Sequence, residues 1–420
     1  MTASSLHEVR SPGPLRTESK AAAKRFIIPN IFVLEGVRPE WSCWSYDLQA
    51  DFFSHSIGMM REMSQVLELP PPPMDLSRSR LLRLQQAFMD NVLKYLPIFD
   101  HETASRHIKS ALALDYHEAT PCVALALLIF AIGSAALNTS FYTASSVDLP
   151  GFAYFSRAMA ILDRLQGRVI DIATLQCGLL AAELELCLDL PSNGLRAYET
   201  RVPLPTSQYD EEGMYYLLSL ISFRKISVDI NESVGYSSPP SGSYGAVIAN
   251  ALTQQLDDWY QYLPGPVKFP LDDDWIFDVR KAHLRCQYFI HRAMVSWPLL
   301  VASPGFGTTP EYDMDIPDAQ SLEQGLRECV NASRAFLKAG EEILTQTSLI
   351  AHLALRGYFA TAMILALVHS SNLHTSEDEI DDDGKLLRQA HRCLSNWKEV
   401  PFLRVSMVKL DDILRRKNIL

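Results

Sequence analysis

From Arg80 onward, apolar residues recur at helical spacing. Leu81, Leu84, Phe88, Val92 and Leu96 lie three or four positions apart, as on a helix that buries one face. Pro97 ends the stripe, because it has no N–H to donate. The same periodicity predicts helices over His101–Leu114, Thr120–Leu137, Phe152–Arg168, Ile172–Leu188, Glu211–Val228 and Val247–Leu263. It continues over Trp275–Leu299, Ser321–Thr345, Ser348–Ser370, Lys385–Trp397 and Arg404–Asn418. No β–α alternation and no short repeat interrupts the series. The predicted fold class is all-α, a large irregular multi-helix domain.

Within that series the stretch LTQQLDDWYQYLPGPVKF, from Leu252 to Phe269, is the most telling. Leu252, Leu256, Trp259 and Leu263 fall on one stripe, and Pro264-Gly265-Pro266 stops the helix. Nothing in it suggests chemistry, so Trp259 is expected to anchor a core. Residues 1–78 lack such a pattern. They read as a poorly structured leader containing the stiff LPPPPM stretch from Leu69. The helical domain then spans 79–420. Pro203 and Pro205 mark a loop in it, and GYSSPPSGSYG, from Gly235, marks a linker near 235–246.

Composition narrows the function classes. At 420 residues, 48% hydrophobic and 21% charged, the chain can bury a sizeable core. The net charge of −11 argues against broad contact with nucleic-acid phosphates. The longest apolar helix core, CVALALLIFAIGSAAL, ends at Leu137. It is shorter than the ~20 residues a bilayer requires, so a buried helix is expected, with no membrane partner. The start has no apolar signal-peptide core, and Asn138, Asn231 and Asn331 open chance N-x-S/T triplets. Lys20, Lys24 and Arg25 suit a weak import patch, although a solvated tail explains them more simply. The seven cysteines, at 43, 122, 177, 187, 286, 329 and 393, are scattered, with no C-x-x-C pair. Reduced thiols in a nuclear or cytosolic setting are expected, and no bound metal.

Several chemical motifs begin and then fail. His101 and His107 are six residues apart, hence on different faces of a helix, which rules out a two-His zinc helix. EIDDDGKLLRQA, from Glu379, copies a calcium loop around Gly384 but ends in Ala390 where a bidentate carboxylate is needed. GFGTTP at Gly305 starts like a phosphate loop, with Pro310 in the third glycine's place. Asp272-Asp273-Asp274 lacks the further carboxylate of a magnesium-binding aspartate motif. Glu377–Asp383 reads as a solvated acidic loop around Ile380. Lys409, Arg415, Arg416 and Lys417 suit the C-terminal end of a helix through its dipole. No catalytic, cofactor-binding or metal-binding residue is assigned, and no DNA-binding residue can be named.

The first helix runs into a corner formed by Leu96, Pro97, Ile98 and Phe99. Leu175, Gln176, Leu179 and Leu180 form an x-L-Q-x-x-L-L pattern, and Leu256, Trp259, Leu263 and Pro264 form L-x-x-W-x-x-x-L-P. Leu284, Tyr288, Pro298, Cys329 and Ala332 lie on the next two helices. With the order of the helices from about Arg80 onward, these stretches resemble the fungal-specific regulatory domain, the middle homology region of zinc binuclear cluster transcription factors. Two family features are missing. Cys43 is the only cysteine before Cys122, so no six-cysteine cluster can form. The arginine-rich helix after the second helix pair is also absent, leaving a shortened domain with Leu188–Val202 as a candidate partner surface. Either the regulator is truly clusterless or an exon is missing. The resemblance implies a nuclear transcriptional regulator, expected to serve a secondary-metabolite gene cluster. It would work without a cofactor, through other transcription regulators, and reach DNA only indirectly. A cytosolic binding or scaffold module, and an all-α enzyme, are the alternatives.

Overall fold

A computed structural model describes residues 74–93, 98–137 (except 115 and 117), 151–165, most of 173–181, 211–234, 245–302, 319–345, 349–370 and 377–420 (except 399). Among the described residues every regular element is helical and no strand occurs, so the chain is all-α. In chain order these are α1 (Arg78–Phe88), α2 (His101–Ala113), α3 (Pro121–Leu137), α4 (Phe152–Leu165) and α5 (Glu211–Val234). They continue with α6 (Ala246–Gln261), α7 (Val279–Ala302), α8 (Ala319–Leu344), α9 (Leu349–Ser370), α10 (Glu377–Ser395) and α11 (Pro401–Arg416). The leader up to residue 73, the 235–244 stretch, the GFGTTP loop, Leu188–Val202, Cys43 and Cys187 lie outside the described residues.

The buried side chains form two hydrophobic cores. The first collects α1 to α4 together with Cys177, Leu180 and Ala181. At its centre is α3, whose residues from Val123 to Ile132 are almost wholly buried. A helix buried all round needs no amphipathic stripe, which accounts for its unbroken apolar run. Among the described residues no helix is long and apolar enough to cross a membrane.

The crossing of α1 over α3 is very close. A methyl group on Gly133 would sit 2.1 Å from the Leu84 carbonyl oxygen. Gly133→Ala should therefore destabilise the protein by about 1–3 kcal/mol through forced separation of the helices, despite alanine's better helix propensity. Urea unfolding measures this, and a variant as stable as the parent would mean that the crossing is looser than described.

The second core takes in α5 to α11. Here α7 is the central element, packed against α5, α6, α8 and α9. Leu252, Leu256, Trp259 and Leu263 are all buried, as their spacing predicts. Beyond α6, Gly265–Val267 forms a single 3₁₀ turn, so the Pro-Gly-Pro corner does end the helix.

Several boundaries differ from the sequence expectation; α5, for one, runs on to Val234 instead of ending at Val228. The first stripe changes from α-helix to a π turn at Met89–Leu93. Asn91 Nδ2 donates to the Ala87 carbonyl at 2.9 Å, and such side-chain competition disturbs the regular ladder. Helix α7 starts at Val279, not at Trp275. Asp278 accepts from Arg280 N at 2.9 Å, capping the helix there. The largest correction is at Glu377–Asp383, which is not a loop but the opening of α10. Asp383 is buried, and its carboxylate takes both Nε (2.7 Å) and Nη2 (2.8 Å) of Arg334. Acidic residues also suit a helix N-terminus electrostatically.

Candidate functional site

Three polar constellations of the second core centre on α7. Its first constellation joins Arg285 to Glu342 on α8, with Nη2 to Oε1 at 2.5 Å and both side chains nearly fully buried. Arg285 Nη1 also donates to the carbonyls of Asp272 (3.2 Å) and Asp274 (2.8 Å), while Glu342 Oε1 accepts from Ile276 N at 3.1 Å. The ion pair thus clamps the backbone of the 272–276 segment. Arg285 Nε and Glu342 Oε2 have no hydrogen-bond partner among the described residues. Burial pushes the Glu342 carboxyl upward, against the pull of Ile276 N–H and Arg285.

Two turns further along, Arg292 ties three helices together. Its Nη1 donates to Asp257 on α6 (2.6 Å) and to Tyr288 Oη (2.7 Å), and its Nη2 to Glu328 on α8 (3.0 Å). Tyr288 Oη donates to Asp257 at 2.6 Å. Burial pushes the Tyr288 phenol up to about 12.

The third constellation contains two histidines. His291 is buried. Its Nδ1 donates to the Gln287 carbonyl at 2.8 Å, and its Nε2 accepts from Ser227 Oγ on α5 at 2.9 Å. His283 Nε2 accepts from the Gln287 amide at 3.2 Å. Its Nδ1, 2.7 Å from Tyr216 Oη, is then left to carry the proton. Burial depresses both imidazoles to about 4. His283 keeps a partly exposed edge, so His291 carries the larger effect.

That depression fixes a pH dependence. Between about 4 and the ordinary 6.5, the unfolded chain binds a proton that the folded chain rejects, so acid favours unfolding. Stability should be complete above pH 6.5 and fall below it, with a slope approaching about 1.4 kcal/mol per pH unit for His291. Urea titrations of the wild type and His291→Gln across this range measure the effect. Equal slopes in the two proteins would remove His291 as the cause.

Chemically, these groups hold the fold and are not poised to react. Burial raises the thiols of Cys329 to about 12 and Cys393 to about 11, and that of Cys286 still higher, so they stay protonated. A general base works best with a pKa near the working pH; the shifted histidines lie well below neutrality and the shifted thiols well above it. No group of three His, Cys, Asp or Glu that could hold a metal occurs among the described residues.

The motifs weighed in the sequence are not brought together. His101 is exposed, while His107 lies 3.5 Å from Cys122 Sγ. Asp273 pairs with Lys338 at 2.6 Å, and Arg416 pairs with Asp412 on its own helix at 2.7 Å. Trp259 is a core anchor, as expected. Sequence reasoning missed Arg285, Glu342, Arg292 and Asp383. For Asp383 a signal existed: the stripe Leu387, Ala390 and Leu394 extends back one turn to it. Compared with family models, with curated proteins and with solved structures, the chain matches none.

Proposed function

We propose that the protein is a nuclear transcriptional regulator that acts through protein partners and has no zinc-cluster DNA-binding element of its own. The observation that carries this reading is the helix of Leu256, Trp259 and Leu263 closed by Pro264, whose sequence resembles the regulatory domain of zinc binuclear cluster factors. Its three apolar residues are all buried, consistent with a scaffold helix. The net charge of −11 supports an indirect route to DNA, and a secondary-metabolite gene cluster is the proposed target. RNA sequencing of a deletion strain tests the reading, together with chromatin immunoprecipitation in the presence and absence of the partner. Coordinated change in a cluster of biosynthetic transcripts is expected, with promoters recovered only when the partner is present. Unchanged transcripts would leave a binding module without regulatory work. Purified protein that alone shifted a specific promoter fragment at physiological salt would overturn the partner route.

A further inference from the structure

The segment between α6 and α7 reads Leu271-Asp-Asp-Asp-Trp-Ile-Phe-Asp278. Ile276 is buried against the core, whereas Trp275 and Phe277 on either side of it are 51% and 89% exposed. Leu271 is exposed as well. The two rings therefore stand in solvent on either side, in sequence, of a residue anchored in the core.

This display is held from within. The clamp of Arg285 on the Asp272 and Asp274 carbonyls, and of Glu342 on Ile276 N, fixes the backbone that carries the rings. A pre-ordered segment loses less entropy on binding than a free one. Exposed aromatic side chains that can be wholly desolvated by a partner are the usual energetic anchors of interfaces.

Charge identifies the occupant. Asp272, Asp273, Asp274 and Asp278 are all exposed. Of the nearby cations, Lys338 pairs with Asp273, and the Arg280 guanidinium lies over the Tyr216 ring. Such a surface repels nucleic-acid phosphates and anionic bilayers. It complements a protein surface of the opposite sign.

We infer that residues 271–278 form a docking element whose Trp275 and Phe277 rings enter an apolar cleft, rimmed by lysine and arginine, on a partner protein. The inference rests on the reading that the chain works through protein partners.

The test places a photoreactive benzoylphenylalanine at position 277 of the full chain, in the cells that make it. A control places it at Val247, which is exposed and apolar without neighbouring acids. A protein crosslinked only from position 277 is expected. Once identified and purified, it should bind the purified full chain, and W275S/F277S should weaken that binding at least tenfold with an unchanged circular dichroism spectrum. D272N/D273N/D274N should weaken it several-fold and flatten its salt dependence. The inference falls if no adduct forms, if position 247 gives the same adduct, or if the adduct is nucleic acid or a second copy of this chain. It falls equally if W275S/F277S binds like the wild type.

The two readings fail separately. If deletion alters transcripts and the W275S/F277S strain keeps the wild-type pattern, the docking element is wrong and the regulator reading stands. If deletion leaves transcripts unchanged while the purified pair still depends on the two rings, the docking element stands and the regulator reading falls.

Discussion

Replacing Glu342 with alanine should destabilise the second core by about 3–5 kcal/mol, because it strands the Arg285 guanidinium in a buried site without its counter-charge. Arg285→Ala should cost a similar amount, since it leaves Glu342 buried and frees the Asp272 and Asp274 carbonyls. Removing both charges should be milder. Arg285 Nε and Glu342 Oε2 lack partners in the wild type, so the pair is incompletely satisfied, and an apolar pair of similar volume avoids that cost. R285M/E342L should then recover much of the stability lost by either alanine variant. Full recovery is not expected, because Ile276 N loses its acceptor. Urea unfolding followed by circular dichroism reads all four proteins. If the double variant were as unstable as the singles added together, the two residues would be acting independently, and the ion pair would not be the clamp described.

The fold was legible because helix stripes are local. Leu252, Leu256, Trp259 and Leu263 announce their buried face within twelve residues, and Pro264 announces the end. The clamp was not legible in the same way. Arg285 and Glu342 are 57 residues apart, on two helices whose facing register no local pattern specifies. The run Glu377–Asp383 misled for a related reason. Six carboxylates suggest solvent, yet Asp383 sits on the apolar stripe of α10 and meets Arg334 across 49 residues. Buried charges resemble surface charges until their partners are known. The 271–278 segment shows the converse. Its three consecutive aspartates look like metal ligands in sequence, while the alternation of Trp275, Ile276 and Phe277 is too short to register as a pattern. That alternation has meaning only once Ile276 is seen to face the core.

Trp259→Ala should be the other large loss, about 3–5 kcal/mol. The indole is buried against Phe223, Phe269 and Tyr288, with centroids at 4.7, 6.3 and 6.4 Å. Its Nε1 donates to Ser219 O (3.3 Å) and Ser222 Oγ (3.1 Å) on α5. Truncation to alanine opens a cavity where α5, α6 and α7 meet. Trp259→Phe keeps most of the apolar volume and loses the donor, so about 1–2 kcal/mol is expected. The ordering wild type, W259F, W259A in urea midpoint tests the anchor role. A W259A protein within about 1 kcal/mol of the parent would show that the ring is dispensable to the core. In cells the contrast with the surface aromatics is sharper. A loss of this size is a large share of a domain's total stability, so W259A should lower the amount of folded protein and reproduce whatever the deletion does. W275S/F277S changes only exposed side chains and should leave the protein level unchanged. Immunoblotting of the two strains therefore separates a residue that builds the scaffold from residues that the scaffold presents.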